Sequence, residues 1–282
     1  MTDGRPGLKQ RRFRQRLIAY REVRAQRPRR GIPRSAVPSF FTLMNLLAGF
    51  MAIIQVYEGH FVNAGWLIVL AGFFDALDGM MARLTNGTSL FGVELDSLSD
   101  IVSFGVAPSF LIYVFALEDF GTTGMIVASL PAICGAVRLA RFNVGFDGEK
   151  KDYFTGLPIP VAAAVIVAVI LNGDFVRAVL DQGTNHRIFI TSIVVLSGLM
   201  ISNIPFDAIP RPTAAYMKHH PLKFVAFMVG IVVLVMYRET GLLVILLVYL
   251  ATGIGRALYQ FAMAVWDADP GPDTGSQTRS DS

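Results

Sequence analysis

The chain has 282 residues, of which 53% are hydrophobic and only 16% charged. That balance excludes a soluble globule and predicts an all-α polytopic membrane protein. Its net charge of +4 is unevenly spread, because residues 1–34 hold Lys9 and eleven arginines against Asp3 and Glu22, twelve cations less two acids or +10, which leaves −6 for the rest.

In chain order, residues 1–35 read as a basic juxtamembrane arm. Within residues 8–30 the arginines alternate with Leu17, Ile18, Tyr20 and Val23. Two readings stay open: a basic helix lying on an anionic cytosolic leaflet, or a disordered positive arm that sets orientation. Nucleic acid is not an expected partner. The arm lacks the apolar core of about 7–15 residues that a cleavable signal needs, so it is expected to stay on.

Apolar segments of spanning length follow at about 36–57, 61–84, 92–117, 122–141, 157–177, 187–203, 222–237 and 241–265. They predict eight transmembrane helices forming a membrane domain of residues 36–265, followed by a disordered polar tail, 266–282. With the arm inside, the even loops carry Arg83, then Arg138, Arg141, Lys150 and Lys151, then Arg211, Lys218 and Lys223. The odd loops carry Arg177, Arg187 and Arg238. Eight against three satisfies the positive-inside rule for a cytosolic arm and a cytosolic tail.

In the first helix Thr42 and Asn45 lie one turn apart near the cytosolic end. They suit ligand contact or hydrogen bonding between helices in lipid. The stretch from Asp75 to Asp100 holds four aspartates in a chain that otherwise reads as membrane. A charge at the bilayer centre costs about 3 kcal/mol or more, so such carboxylates are functional candidates. Asp75 and Asp78 are spaced i,i+3 and Asp96 and Asp100 i,i+4, so each pair projects from one helix face. Gly79 and Ala82 share the first face, Gly92 precedes Asp96 by one turn, and Arg83 closes the first helix. The polar turn at Asn86 and Gly87 returns the chain as a hairpin. At about 1.5 Å per residue, Asp78 and Asp96 lie roughly 6–9 Å from the cytosolic turn and Asp75 and Asp100 roughly 12–14 Å.

Four carboxylates this close need a cation to ionise together, and hard oxygen ligands select Mg²⁺ or Mn²⁺, with a pyrophosphate as natural third partner. The lone Cys134 excludes an intrachain disulfide and reads as apolar filler. His60, His186, His219 and His220 lack metal-ligand spacing and read as loop residues.

The pattern D-x2-D-G-x2-A-R-x8-G-x3-D-x3-D, complete in Asp75, Asp78, Gly79, Ala82, Arg83, Gly92, Asp96 and Asp100, resembles the signature of the CDP-alcohol phosphatidyltransferases. The stretch Pro38, Thr42, Asn45 resembles the P-x3-T-x2-N segment preceding that signature. Three further stretches resemble the bacterial phosphatidylserine synthases of that superfamily: Ser103-Phe-Gly105-Val-Ala-Pro108, Arg138-Leu-Ala-Arg141-Phe-Asn143 and Gly156-Leu-Pro158-Ile-Pro160.

The resemblance covers residues 38–165 and implies a six-helix core plus two helices, CDP-diacylglycerol and L-serine as substrates among membrane lipids, and a homodimer. It implies that Asp75, Asp78 and Asp96 hold the metal and that Asp100, also reaching it, is the general base. Gly79, Ala82, Gly92, Thr42 and Asn45 would then admit CDP-diacylglycerol, and Arg83 would bind phosphate or hold the turn. Arg138 and Arg141, three apart on one helix face, are expected to hold the serine carboxylate beside Asn143, or else to anchor the topology. Two competing functions carry distinct expectations. Glycerol 3-phosphate or inositol phosphate as acceptor requires a more basic pocket, and a cation transporter requires polar groups toward both membrane faces.

Overall fold

The computed structural model describes residues 36–85, 87, 89–144, 153–174, 185–207 and 221–267. The basic arm, the tail beyond Asp267, and Lys150, Lys151, Arg177, Arg211, Lys218, His219 and His220 lie outside the described residues. Helix α1 (Ala36–Tyr57) buries Pro38, Thr42, Asn45, Ala48, Gly49, Ala52 and Val56. These recur at three- and four-residue intervals and so form one face of a helix. The opposite face exposes Phe40, Leu43, Leu47 and Phe50, apolar groups suited to lipid.

Gly59 ends α1 with φ 80°, a left-handed turn that glycine adopts without steric cost. The N–H of His60 then reaches back to the Gln55 carbonyl at 2.8 Å, the closing bond of a Schellman cap. Helix α2 (Phe61–Thr85) returns against α1 through buried Ala64, Gly65, Ile68 and Ala71. Small residues allow the close backbone approach that helix pairs in lipid require.

Helix α3 (Leu90–Asp100) starts from Ser89, whose extended backbone lets Oγ accept the Gly92 N–H at 3.0 Å. The helical run then departs from regular α geometry. A π turn (Ile101–Val106) leads into α4 (Ala107–Ile112), and a second π turn (Tyr113–Leu117) follows. Pro108 has no N–H and its ring crowds the preceding turn, and the widened coil lets the Ala107 N–H reach the Val102 carbonyl.

The chain reverses at Gly121, φ 52°, into α5 (Gly121–Val144). Pro131 lies inside α5, and the neighbouring Ala132 N–H donates to Ser109 Oγ at 3.1 Å, which pins α5 to α4.

Helix α6 (Ile159–Leu171) is apolar all round and buries Ile159, Ala162, Ala163, Val165, Ile166, Val167, Ala168, Ile170 and Leu171. It is the centre of the bundle. It is shorter than the 157–177 segment expected, because Pro158 starts it and Asn172 leaves helical geometry at φ −96°, ψ 27°.

Helix α7 (Asn185–Ile201) is followed by an element the hydropathy pattern does not predict. Strands β1 (Tyr153–Thr155) and β2 (Pro205–Asp207) pair antiparallel, Phe154 opposite Phe206. Gly156 turns the chain at φ 76° and donates its N–H to the Ile204 carbonyl at 2.9 Å.

The last helical run, α8 (Pro221–Asp267), has 47 residues. A Cβ placed on Gly230 would lie 3.9 Å from Ile245 Cδ1, although fifteen residues of straight helix span about 22 Å. The run therefore folds back on itself between them. Asn172 holds the turn by donating to the Glu239 carbonyl at 2.9 Å and accepting from Thr240 Oγ1 at 2.8 Å. Among the described residues, Ala36–Tyr57, Phe91–Val144 and Glu239–Tyr259 are long and apolar enough to cross a membrane.

Candidate active site

The α2–α3 hairpin forms as its sequence predicts. Thr85 Oγ1 donates to the Met81 carbonyl at 2.8 Å, and the Gly87 N–H reaches the Ala82 carbonyl at 3.2 Å. The first helix thus ends two residues before its glycine. Ser89 caps the second, so Asp75 and Asp78 on α2 face Asp96 on α3. Oxygens of these three carboxylates all lie within 4.8 Å of one another.

Asp100 stands outside that triad. It is buried at the end of α3, where Asn45 Nδ2 donates to its Oδ1 at 3.2 Å. Three of the four carboxylates expected at the metal form this cluster, and the fourth lies within electrostatic reach of all three while its Oδ1 accepts from the Asn45 amide.

A cleft of about 110 Å³ opens beside the cluster. Its lining includes Thr42, Asp78, Gly79, Ala82, Gly92 and Asp96, together with Pro38, Ser39 and Ser89. The small residues expected to admit a ligand do line the available space, and Ser39 and Ser89 are additions that the spacing argument missed. Arg83 folds back along its own helix, with Nη1 3.5 Å from where a Cβ on Gly79 would sit. A second cavity of about 420 Å³ lies at the other end of α1 and α2, around Gly59 to Asn63, Gly173 and Asp174. It is remote from the carboxylates.

Two serines not assigned to the site from sequence fix α1 against the run carrying Asp100. Ser99 Oγ donates to the Thr42 carbonyl at 3.0 Å and Ser103 Oγ to the Asn45 carbonyl at 2.9 Å. The side chains of Thr42 and Asn45 are thereby held toward the aspartates.

The arginine pair divides. Arg141 spends its guanidinium on the end of α7, donating to the carbonyls of Ile201 at 3.0 Å and Ser202 at 3.2 Å. The final carbonyls of a helix have no partner within it, so an exposed guanidinium one turn beyond Arg138 meets them first. Arg138 is buried, with Nε lacking a hydrogen-bond partner among the described residues, and stands within electrostatic reach of Arg141, Tyr249 and Asp100. Asn143, grouped with both arginines on sequence grounds, donates to Ser97 Oγ at 3.0 Å.

Among the described residues five buried side-chain polar atoms lack a partner: Asn45 Oδ1, Asp78 Oδ2, Asp96 Oδ1, Arg138 Nε and Ser197 Oγ. Four belong to the candidate site. Buried polar groups are satisfied almost everywhere in proteins, so such a concentration marks where ligands complete the structure. Orphaned carboxylate oxygens at Asp78 and Asp96, within a cluster of hard oxygen donors, fit a divalent cation.

The bundle sets a carboxylate cluster with the donor set of a divalent-metal site among apolar helices, and residues 35–202 match the CDP-alcohol phosphatidyltransferase family. The chain belongs to that family. It is 36% identical over 230 residues to the CDP-diacylglycerol–serine O-phosphatidyltransferase of Helicobacter pylori, covering 82% of this chain and 94% of the relative. A Bacillus subtilis protein of the same name is 37% identical, over 63% of this chain and 93% of its own. The archaetidylserine synthase of Methanothermobacter thermautotrophicus is 40% identical, over 62% of this chain and 70% of its own.

Proposed function

We propose that this protein transfers the phosphatidyl group of CDP-diacylglycerol to the hydroxyl of L-serine, giving phosphatidylserine and CMP. The observation that carries the reading is the complete eight-position pattern, with Asp78, Gly79, Ala82, Gly92 and Asp96 lining one cleft beside the carboxylate cluster, in a chain similar over most of its length to proteins named for that reaction.

In the proposed reaction, the serine hydroxyl oxygen forms a bond to the phosphorus bearing diacylglycerol, and the bond from that phosphorus to the bridging oxygen breaks. CMP leaves with the electron pair. Asp100 accepts the hydroxyl proton, its orientation held by Asn45. Asp75, Asp78 and Asp96 hold Mg²⁺ or Mn²⁺, which when bound offsets the charge of the diphosphate. Gly79, Ala82 and Gly92 leave room for the nucleotide, with Thr42 at the edge of the cleft and Arg83 folded toward it.

Arg138 is the proposed carboxylate partner of serine, supported by its burial and its open Nε. Arg141 and Asn143 then act as positioning residues for that corner. We further assign eight membrane spans, supported by hydropathy and by the fold-back of α8, and a cytosolic active site, supported by the loop charges. The basic arm is proposed to be juxtamembrane, and the homodimer rests on family resemblance.

The deciding experiment offers purified protein CDP-diacylglycerol with L-serine, glycerol 3-phosphate or inositol phosphate, and identifies the lipid product by mass spectrometry. Phosphatidylserine is expected, with turnover lost in EDTA and restored by Mg²⁺ or Mn²⁺. Phosphatidylglycerol phosphate or phosphatidylinositol phosphate as the product, or full turnover in chelator, would overturn the acceptor or the metal assignment respectively.

A further inference from the structure

We infer that Asn45 binds the acceptor as well as orienting Asp100: its Oδ1 accepts a hydrogen bond from the ammonium of serine while the serine hydroxyl faces Asp100. This rests on the reading of serine as acceptor and of Asp100 as base. The cleft beside the carboxylate cluster does not point to such a role, since Thr42 lines it and Asn45, one turn further along α1, does not.

The amide is fixed in one orientation. Asn45 is fully buried, and its Nδ2 donates to Asp100 Oδ1 at 3.2 Å. An ionised carboxylate only accepts, so the NH2 group must face Asp100 and the carbonyl oxygen must take the other position. That oxygen is buried and has no hydrogen-bond partner among the described residues. The two serine hydroxyls that reach α1 here do not supply one. Each has a single proton, and both are committed to backbone carbonyls, Ser99 Oγ to Thr42 at 3.0 Å and Ser103 Oγ to Asn45 at 2.9 Å. These bonds hold α1 in place while Oδ1 stays open. Buried acceptors are satisfied almost everywhere in proteins, so this one awaits a donor from a ligand.

The position of the open oxygen selects the donor. Oδ1 and Nδ2 share one carbon, so a group held by Oδ1 stands next to the group held by Asp100. Serine carries its hydroxyl and its ammonium on adjacent carbons, and an ammonium is all donor with no acceptor. It suits a corner rich in carboxylates, where Asp75, Asp78 and Asp96 are within electrostatic reach of Asp100. A hydrogen bond to a charged donor is stronger than one to a neutral donor. The same oxygen therefore favours an amino alcohol over a polyol phosphate, whose neighbouring group is a neutral hydroxyl.

The test separates binding from chemistry. The full chain in nanodiscs, with Mn²⁺ and CMP present so that no transfer occurs, is titrated with L-serine or with 3-hydroxypropionate, which has the hydroxyl and the carboxylate but no ammonium. The rise in melting temperature gives each affinity. Asn45→Leu removes both halves of the amide, and Asn45→Asp loses the NH2 group but keeps an acceptor oxygen in either protonation state. Asn45→Leu should weaken serine about tenfold, the loss of one hydrogen bond to a charged group, and leave 3-hydroxypropionate within about twofold of the parent. Asn45→Asp should hold the preference for serine over 3-hydroxypropionate at the parental value or above. Asn45→Ala gives the same reading as Asn45→Leu should the leucine not be accommodated.

Equal losses for the two ligands in Asn45→Leu would make Asn45 only the orienting partner of Asp100 and overturn the proposal. So would a preference in Asn45→Asp as low as in Asn45→Leu. A fall in Mn²⁺ affinity without a selective loss of serine would make the oxygen a metal ligand instead, and overturn it equally. Failure of the parent itself to use serine would overturn the acceptor assignment, and is read before any variant is made.

Discussion

Asn45 and Asp100 form the contact on which the proposed chemistry turns. The amide donates to Oδ1 at 3.2 Å from a helix that Ser103 holds by the Asn45 carbonyl at 2.9 Å. A carboxylate oriented in this way, beside the three-aspartate cluster and within electrostatic reach of it, is the proposed proton acceptor. Asp100→Asn keeps the shape and removes the base, so kcat should fall about 10²-fold or more, with the KM for CDP-diacylglycerol within a few-fold of the parent. Steady-state CMP release measures both, and near-parental turnover would place the base elsewhere. The carboxylates were legible in the sequence because charges within apolar segments are costly and so stand out. The split between Arg138 and Arg141 was not, since an i,i+3 spacing says that two side chains share a face but not that the end of α7 waits beside one of them.

Helix boundaries follow the same division between what is local and what is not. α1 and α2 were readable almost to the residue because Gly59 and the turn at Gly87 are local signals. The π turns after Asp100 and the β1–β2 ribbon depend on what packs against them, which no local signal records. Their consequence is sharpest at Gly49, where an added Cβ would collide with the backbone and hydroxyl of Ser103. Gly49→Ala must push α1 away from the run that carries Asp100, and overpacking of this kind costs about 1–3 kcal/mol. Gly198 on α7 has open space at the same construction, so Gly198→Ala should fall within about 0.5 kcal/mol of the parent. Thermal unfolding in detergent compares them. Equal melting temperatures for the two variants would mean that α1 is not tightly seated on Ser103. The contacts of Ser99 and Ser103 with α1 were not legible for a related reason: a serine in a membrane helix ordinarily bonds its own preceding turn, and sequence does not reveal a carbonyl on another helix.

At the scale of the molecule, the polar groups segregate to two ends of the bundle. The aspartate cluster and the arginine corner occupy the end bearing the α2–α3 turn, while Glu58, bonded to Gln55 at 2.7 Å, and His60, 3.6 Å from Glu58, mark the opposite end. A nucleotide-headed lipid must enter from the side where nucleotides are made, and the orientation proposed from the loop charges would put the cluster on that side. Labelling tests this directly. In a Cys134→Ser background, which removes the one native thiol, Glu58→Cys and Val144→Cys place single thiols at exposed positions on opposite ends. In sealed right-side-out vesicles an impermeant maleimide should label Glu58→Cys at once and Val144→Cys only after permeabilisation. The reverse pattern would turn the site outward and separate it from cytosolic CDP-diacylglycerol and serine, which the proposed reaction could not survive.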